Sequence, residues 1–336
     1  MGITIRDVAA AAGVSTATVS RALRGLPNVD EQTRQRVQAI AADLDYVISP
    51  SASRLASGRT GSIAVLTPYV ARWFFSTVLS GVESVLQHSG FDLLLLSVGD
   101  VASGPAAPPV APRLRRRVDG ILVIALPPND KQLNEVIQLD IPVSLIGVDK
   151  PGVSSVLIDD VDAARTATQH LINLGHTRIG VIAGTPQLSV FTAEVDRMRG
   201  FTETMNAASI PIDPMLESYG YFTITGGEQA MTALLTQRNR PTAVFALSDE
   251  MAFGAMRAMR RHGLVPGQDI SIVGIDGHDM AEYFDLTTVA QPVYGLGRLA
   301  AESLVEQIRH SAVDEGRTVH LPTQLVVRGS TAPLIS

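Results

Sequence analysis

A chain of 336 residues is too long for one small core, so two to three domains are expected. Hydrophobic residues at 46% with 18% charged residues exclude a disordered polymer, and the lack of cysteine excludes disulfides and thiolate metal sites. No apolar run reaches ~18 residues and MGITIRDVAA has neither the basic start nor the apolar stretch of an export signal, so no membrane partner and a cytoplasmic location are expected. The net charge of −6 is unevenly spread: residues 1–60 hold seven arginines against five carboxylates, a net of +2 that leaves −8 on the remainder. A weakly basic head on an acidic body fits a modular binder of polyanions, in which only the head meets phosphate.

The first elements lie in Ile3 to Leu26, ITIRDVAAAAGVSTATVSRALRGL. Thr4 followed three residues later by Asp7 is a capping-box-like start, and Val8, Ala9 and Ala12 form the apolar stripe of a first helix. Gly13 supplies the turn. Ser15 then caps a second helix whose apolar residues, Val19, Ala22 and Leu23, recur at three- and four-residue spacing. Its opposite face carries Thr16, Ala17, Ser20 and Arg21, groups of little bulk apart from the arginine. This is the pattern of a helix-turn-helix, where small residues near the start of the second helix let it approach base edges in the major groove. A third helix, capped by Asp30, follows through Val37 and ends near Leu44-Asp45-Tyr46.

These residues resemble the DNA-binding headpiece of the LacI/GalR family of bacterial transcription regulators. After Tyr46 that family has a hinge of the form YxPNxxAxxLxxGxT. Here Ile48-Ser49 replaces Pro-Asn, with Pro50 two places later, while Ala52 and Leu55 keep the family positions. The resemblance implies DNA contacts from Thr4, Ser15, Thr16, Ala17, Thr18, Ser20, Arg21 and Asn28. It also implies minor-groove contacts from Ala52 and Leu55, with leucine as the wedge that unstacks a central base step.

From Ser62 onward, short apolar runs alternate with amphipathic stretches. Expected strands include 63–66, 91–96, 120–124, 143–146, 179–182, 243–246 and 270–274, and helices 77–88, 163–174, 198–207, 227–235 and 250–262 lie between them. The alternation predicts an α/β body of two doubly wound parallel-sheet subdomains, with ligand between the carboxyl ends of their strands. Leu171-Ile172-Asn173-Leu174-Gly175-His176, Arg197-Met198-Arg199-Gly200-Phe201, Ser248-Asp249-Glu250-Met251-Ala252 and Ile270 to Asp276 make this part similar to the same family's periplasmic-binding-protein-like (type I) core. The expected organisation is a headpiece over 1–46, a hinge over 47–61 and a core over 62–336, with crossings between subdomains near 158–164 and 286–294. One departure lies between Asp100 and Arg113, where prolines at 105, 108, 109 and 112 oppose a regular helix and predict a partly extended loop. Arg113, Arg115, Arg116 and Arg117 follow, as either a DNA-facing patch or a solvated face.

No P-loop, HExxH or G-x-S-x-G is present, and Gly295-Leu296-Gly297 follows no strand-to-helix turn, so neither an enzyme nor a cofactor is expected. The seven histidines lack ligand spacing, so no metal site is expected either, and His88, His170 and His176 read as surface or helix-end residues. Arg197, Asp249 and Asp276 sit at or just after expected strand ends or on the next helix, where such folds take ligands. The resemblance implies that Asp276 accepts from an effector and Arg197 donates to it, that Phe74 and Phe222 form an aromatic wall, and that Asp149 is a further contact. Each could instead be a scaffold ion pair or a buried aromatic. Ser248, a further effector contact, stands where Asn is common, which shortens one donor-acceptor arm, and Trp73 stands where Pro is common, so Trp73 either reshapes the pocket or packs on the surface. Nothing after Arg328 has a leucine heptad, which predicts a homodimer. The resemblance as a whole implies a repressor of a carbohydrate-utilisation operon, binding a pseudo-palindromic double-stranded operator under control of a small-molecule effector, a sugar. A non-sugar metabolite or a protein co-effector stays open. An exported sugar-binding protein would share the body but have no use for residues 1–60.

Overall fold

The structure, a computed structural model, describes residues 3–23, 25–46, 59–99, 108–185, 192–310 and 316–334. The chain divides into two compact units, Met1–Gly61 and Ser62–Ser336. The hinge contacts expected of Ala52 and Leu55, and most of the proline-rich segment, lie outside the described residues. Among the described residues no helix is long and apolar enough to cross a membrane.

The head contains α1 (Ile5–Ala12), α2 (Thr16–Leu23) and α3 (Glu31–Asp43). Asp7 closes the start of α1 by accepting from both the backbone N–H and the hydroxyl of Thr4, at 2.8 and 2.7 Å. Those bonds hold its carboxyl below the usual range. Gly13 ends the helix at φ 66°, a left-handed conformation that costs glycine little. Ser15 Oγ accepts from Thr18 N–H at 3.1 Å and Asp30 Oδ1 from Thr33 N–H at 2.9 Å, so both later helices begin on side-chain caps. Val8, Val19, Ala22 and Val37 are fully buried between the three helices, with Ile5, Leu23, Ile40 and Tyr46 packed around them. Arg34 is one of the seven head arginines, yet its guanidinium donates to the carbonyls of Leu26 (3.0 Å) and Val29 (3.4 Å). It ties down the α2–α3 loop.

The second unit has two lobes. The first lobe is built on a parallel sheet of β1 (Ser62–Thr67), β2 (Asp92–Ser97), β3 (Gly120–Ile124), β4 (Val143–Ile146), β5 (Ser154–Leu157) and β11 (Thr318–His320), in the order β11-β5-β4-β3-β1-β2. The second carries β6 (Ile179–Ala183), β7 (Glu217–Tyr219), β8 (Ala243–Ala246), β9 (Ser271–Asp276), β10 (Thr287–Ala290) and β12 (Gln324–Val326), in the order β12-β10-β9-β8-β6-β7, with only β12 antiparallel. The helices of the first lobe are α4 (Trp73–Ser89), α5 (Ala111–Leu114) and α6 (Lys131–Ile137). Those of the second are α7 (Asp160–Asn173), α8 (Thr192–Ala207), α9 (Ile224–Leu235) and α10 (Asp249–Arg261), and α11 (Val293–His310) returns to the first sheet. The chain therefore passes between lobes after β5 and after β10. It passes a third time between β11 and β12, a crossing that the strand pattern does not reveal because both strands are short and half-exposed.

After Pro108 and Pro109 the chain forms the single turn α5, with Pro112 in its first turn where its missing N–H is harmless. Arg113, Arg115, Arg116 and Arg117 are exposed. The Gly295-Leu296-Gly297 fragment has a packing role: a Cβ at Gly297 would overlap the Val78 carbonyl, and one at Gly81 the Tyr294 carbonyl. Glycines on α4 and α11 thus let the two backbones touch. His176 corrects the reading of that residue as a surface or helix-end group. It is buried, its Nδ1 lies 3.0 Å from Thr242 Oγ1 and its Nε2 3.0 Å from Ser271 Oγ, and it joins α7's end to the second sheet.

Candidate nucleic-acid interface and ligand cleft

On the head, the outward face of α2 presents Thr16, Ala17 and Arg21 to solvent, with Thr18 and Ser20 beside them. Burial of Val19 and Ala22 on the opposite side fixes that orientation. Thr4 and Ser15 stand at the caps of α1 and α2, and Asn28 adopts φ 67° in the loop before α3. The sequence-derived set is therefore split. Thr16, Ala17 and Arg21 form one thin exposed surface, whereas the Thr4 and Ser15 hydroxyls are engaged within the head.

In the second unit a cleft partly open to solvent lies at the carboxyl ends of the strands of both sheets. Ala125, Gly147 and Ile158 follow β3, β4 and β5, while Ser248 and Gln291 follow β8 and β10, and Asp276 ends β9. Of the residues that the sequence assigns to an effector, Arg197, Ser248, Asp276, Phe74 and Phe222 line this cleft. Asp249 and Asp149 do not. Asp149 is exposed and accepts from Thr318 Oγ1 at 2.9 Å. Asp249 is fully buried under the loop after β9, where it accepts from His278 N–H at 2.8 Å and where Gly274 leaves room for its carboxylate.

One wall of the cleft is a charged network. Arg197 reaches in from α8, donating from Nε to Asp160 Oδ1 (2.7 Å) and from Nη1 to the Leu247 carbonyl (2.5 Å) and Asp276 Oδ1 (3.4 Å). The side chains of Arg197, Asp160 and Asp276 are only 6%, 11% and 10% exposed, so these are buried ion pairs. Gln291 Nε2 completes the set by donating to Asp276 Oδ1 at 2.8 Å. Burial pushes the Asp276 carboxyl up and Arg197 opposes this; burial would lower the Arg197 pKa, but Asp160 and Asp276 outweigh it and keep the guanidinium charged. Burial and the nearby Asp276 raise Asp249 to about 7. Glu250, at the rim, is raised by burial and by Asp276 and lowered by Arg72 across the cleft. Asp276 takes φ 137°, a conformation rare outside glycine, which the pairing of its carboxylate and its carbonyl bond from Gln291 N–H hold in place.

Apart from Arg72, the facing wall is apolar. Phe74 and Phe75 meet edge to face at 5.3 Å, and Phe222 closes the cleft from the second lobe at φ 52°. Planar hydrogen-bonding groups opposite aromatic faces suit a small ligand with one polar edge and one C–H face. Sequence reasoning missed Arg72, Phe75, Asp160, Glu250 and Gln291. Asp160 reads as an ordinary acid at a helix start, and Gln291 carries a signal only through its proline neighbour. No cluster of three His, Cys, Asp or Glu residues suited to a metal occurs among the described residues.

Residues 4–49 match the model for bacterial regulatory proteins of the lacI family, and residues 168–331 match the periplasmic binding protein-like domain. The chain is 34% identical to the HTH-type transcriptional regulator DegA of Bacillus subtilis (strain 168), over 99% of each protein. The lac repressor dimer bound to operator and the anti-inducer ONPF superposes with a TM-score of 0.87 at 29% identity, covering 99% of this chain and 100% of that one. The transcriptional regulator CelR in complex with cellobiose gives 0.71 at 33% identity, covering 98% and 99%. Head, two-lobed core and likeness over the whole length agree, and the chain belongs to the lacI family of bacterial regulatory proteins as a DNA-binding transcription regulator.

Proposed function

We propose that this regulator is a cytoplasmic homodimer that represses a carbohydrate-utilisation operon by binding a pseudo-palindromic operator, and that a sugar in the core cleft controls its affinity for DNA. The carrying observation is the cleft itself: Arg197, Asp276, Gln291 and Ser248 offer donors and acceptors on the second lobe, which also carries Phe222, and Phe74 and Phe75 line the cleft from the first lobe. Hydroxyl groups on a pyranose edge match the polar groups and its C–H face matches the aromatic rings. That CelR holds cellobiose in a similar fold supports the sugar class. Thr16, Ala17, Ser20 and Arg21 read the major groove, and two heads on a two-fold axis require a site with matching symmetry.

The test is differential scanning fluorimetry against mono- and disaccharides with nucleosides as the competing class, followed by operator binding with each hit. A ligand that binds only the folded core raises its melting temperature by mass action. A sugar should do so and change operator affinity by about 5- to 150-fold. A response confined to nucleosides would replace the sugar reading with the metabolite one.

A further inference from the structure

Trp73 is the only tryptophan in the chain. It opens α4 between Arg72 and Phe74, two residues that line the cleft, but its own side chain leaves the lobe that carries it. The indole lies on the imidazole of His278, with ring centroids 4.5 Å apart and planes 24° from parallel. Its Nε1–H donates to Asp279 Oδ2 at 3.1 Å. Both partners follow β9 in the opposite lobe, immediately after the cleft residue Asp276.

That receiving loop is held from several sides. His278 Nδ1 accepts from Met280 N–H at 2.9 Å, its ring takes the edge of Phe253 at 5.1 Å and 89°, and its backbone N–H donates to Asp249 Oδ2 at 2.8 Å. The imidazole is therefore a fixed platform of the second lobe, and Trp73 is a flat, hydrogen-bonded arm of the first. Stacking and a directional N–H···O bond both fall away within an ångström or two of lobe separation. The contact is satisfied only at the lobe spacing seen here, with the cleft residues of both lobes facing each other.

We infer that Trp73 is a positioning residue for the effector cleft, a strap whose stack on His278 and hydrogen bond to Asp279 hold the lobes at the spacing that ligand binding requires. This rests on the reading of the cleft as an effector site. Trp73 touches no ligand in this role; it acts by setting the distance between Arg197 with Asp276 on one side and Phe74 on the other.

As the sole tryptophan, Trp73 reports on itself. The experiment records its emission and its quenching by acrylamide in the full-length parent and in Asp279→Asn and His278→Ala, with far-UV circular dichroism and melting curves to confirm folding. Cellobiose serves as the probe ligand, and DNA binding is measured on the same preparations. In the parent the indole should be shielded, and both variants should shift its emission to the red and raise its quenching. Both should also weaken cellobiose binding on the order of tenfold, equivalent to about 1.4 kcal/mol, while ligand-free DNA binding persists. Equal quenching in all three proteins overturns the strap, and so does cellobiose binding of equal affinity in all three. A parent whose melting temperature does not respond to cellobiose excludes that sugar alone, leaving the sugar reading to the wider panel, and the acrylamide comparison then decides the strap by itself.

Discussion

Removing the guanidinium of Arg197 should expose how far ligand binding and core stability share one network. Arg197→Ala leaves Asp160 and Asp276 buried without their common cation and leaves the Leu247 carbonyl without its donor. Breaking a buried pair by deleting one partner costs about 3–5 kcal/mol, because the remaining charge is stranded in low dielectric. At about 2–4 °C per kcal/mol for a unit of this size, the core transition should fall by roughly 6–20 °C. The sign of the pH dependence follows from Asp276. Its carboxyl is already raised by burial, and losing Arg197 raises it further. A carboxyl raised on folding contributes stability at low pH that is lost as pH rises through its folded value, so the deficit of the variant should be larger at pH 8 than at pH 5. Asp160→Asn on the Arg197→Ala background should recover part of the loss by removing one stranded charge, whereas Asp276→Asn alone should cost little stability and abolish the effector response. Urea unfolding followed by circular dichroism, with effector titration in parallel, measures all four proteins. An Arg197→Ala protein as stable as the parent, and no more pH-sensitive, would refute the structural role of the ion pairs.

Asp249, raised to about 7, contributes stability that is fully present below about pH 4 and lost as pH rises through 7, so the stability of Asp249→Asn relative to the parent should climb between pH 5 and pH 8. Parallel urea-midpoint curves for the two proteins would show that burial of this carboxyl has no such effect. Gly81→Ala drives a Cβ into the Tyr294 carbonyl between α4 and α11, an overpacking that should cost about 1–3 kcal/mol in thermal unfolding. On the head, Arg21→Ala should weaken operator binding by about 1–3 kcal/mol for each bidentate pairing with a base that it removes, while changes at Ala17 should alter the preferred bases; selection from random duplexes that returns only asymmetric sites would exclude a two-fold dimer. Light scattering at micromolar concentration should give the mass of a dimer, and a tetramer would contradict it.

The head is legible in the sequence because each of its features is local. Thr4 with Asp7, Gly13, Ser15 and Asp30 are caps and turns set by neighbours three or four residues away, and all four act in that way. Arg34 reads as surface charge because the carbonyls it binds lie five to twelve residues earlier, on α2 and the loop after it, partners that periodicity does not reveal. In the core, strands such as β3 and β8, buried on both faces, show as continuous apolar runs. β7, β11 and β12 have three residues each at half-exposed edges and leave no such trace.

The cleft is harder to read for a related reason: its specificity lies in pairs distant in sequence. Asp160 and Arg197 are 37 residues apart, Arg197 and Asp276 79, and Trp73 and Asp279 206. A carboxylate at a helix start and a tryptophan on an amphipathic helix look ordinary until the fold brings a partner to them. Arg197, Ser248 and Asp276 line the cleft because strand ends and the helices after them mark a ligand face, while Asp249 meets the same rule and is buried beneath that face as its support. Its carboxylate holds His278, His278 carries Trp73, and the Arg197–Asp276 pair stands beside them, so a ligand drawing on Asp276 acts on a network that also spans the lobes. On the proposed reading of the cleft, ligand affinity and lobe spacing are two readings of one set of bonds, and by linkage whatever shifts one must shift the other.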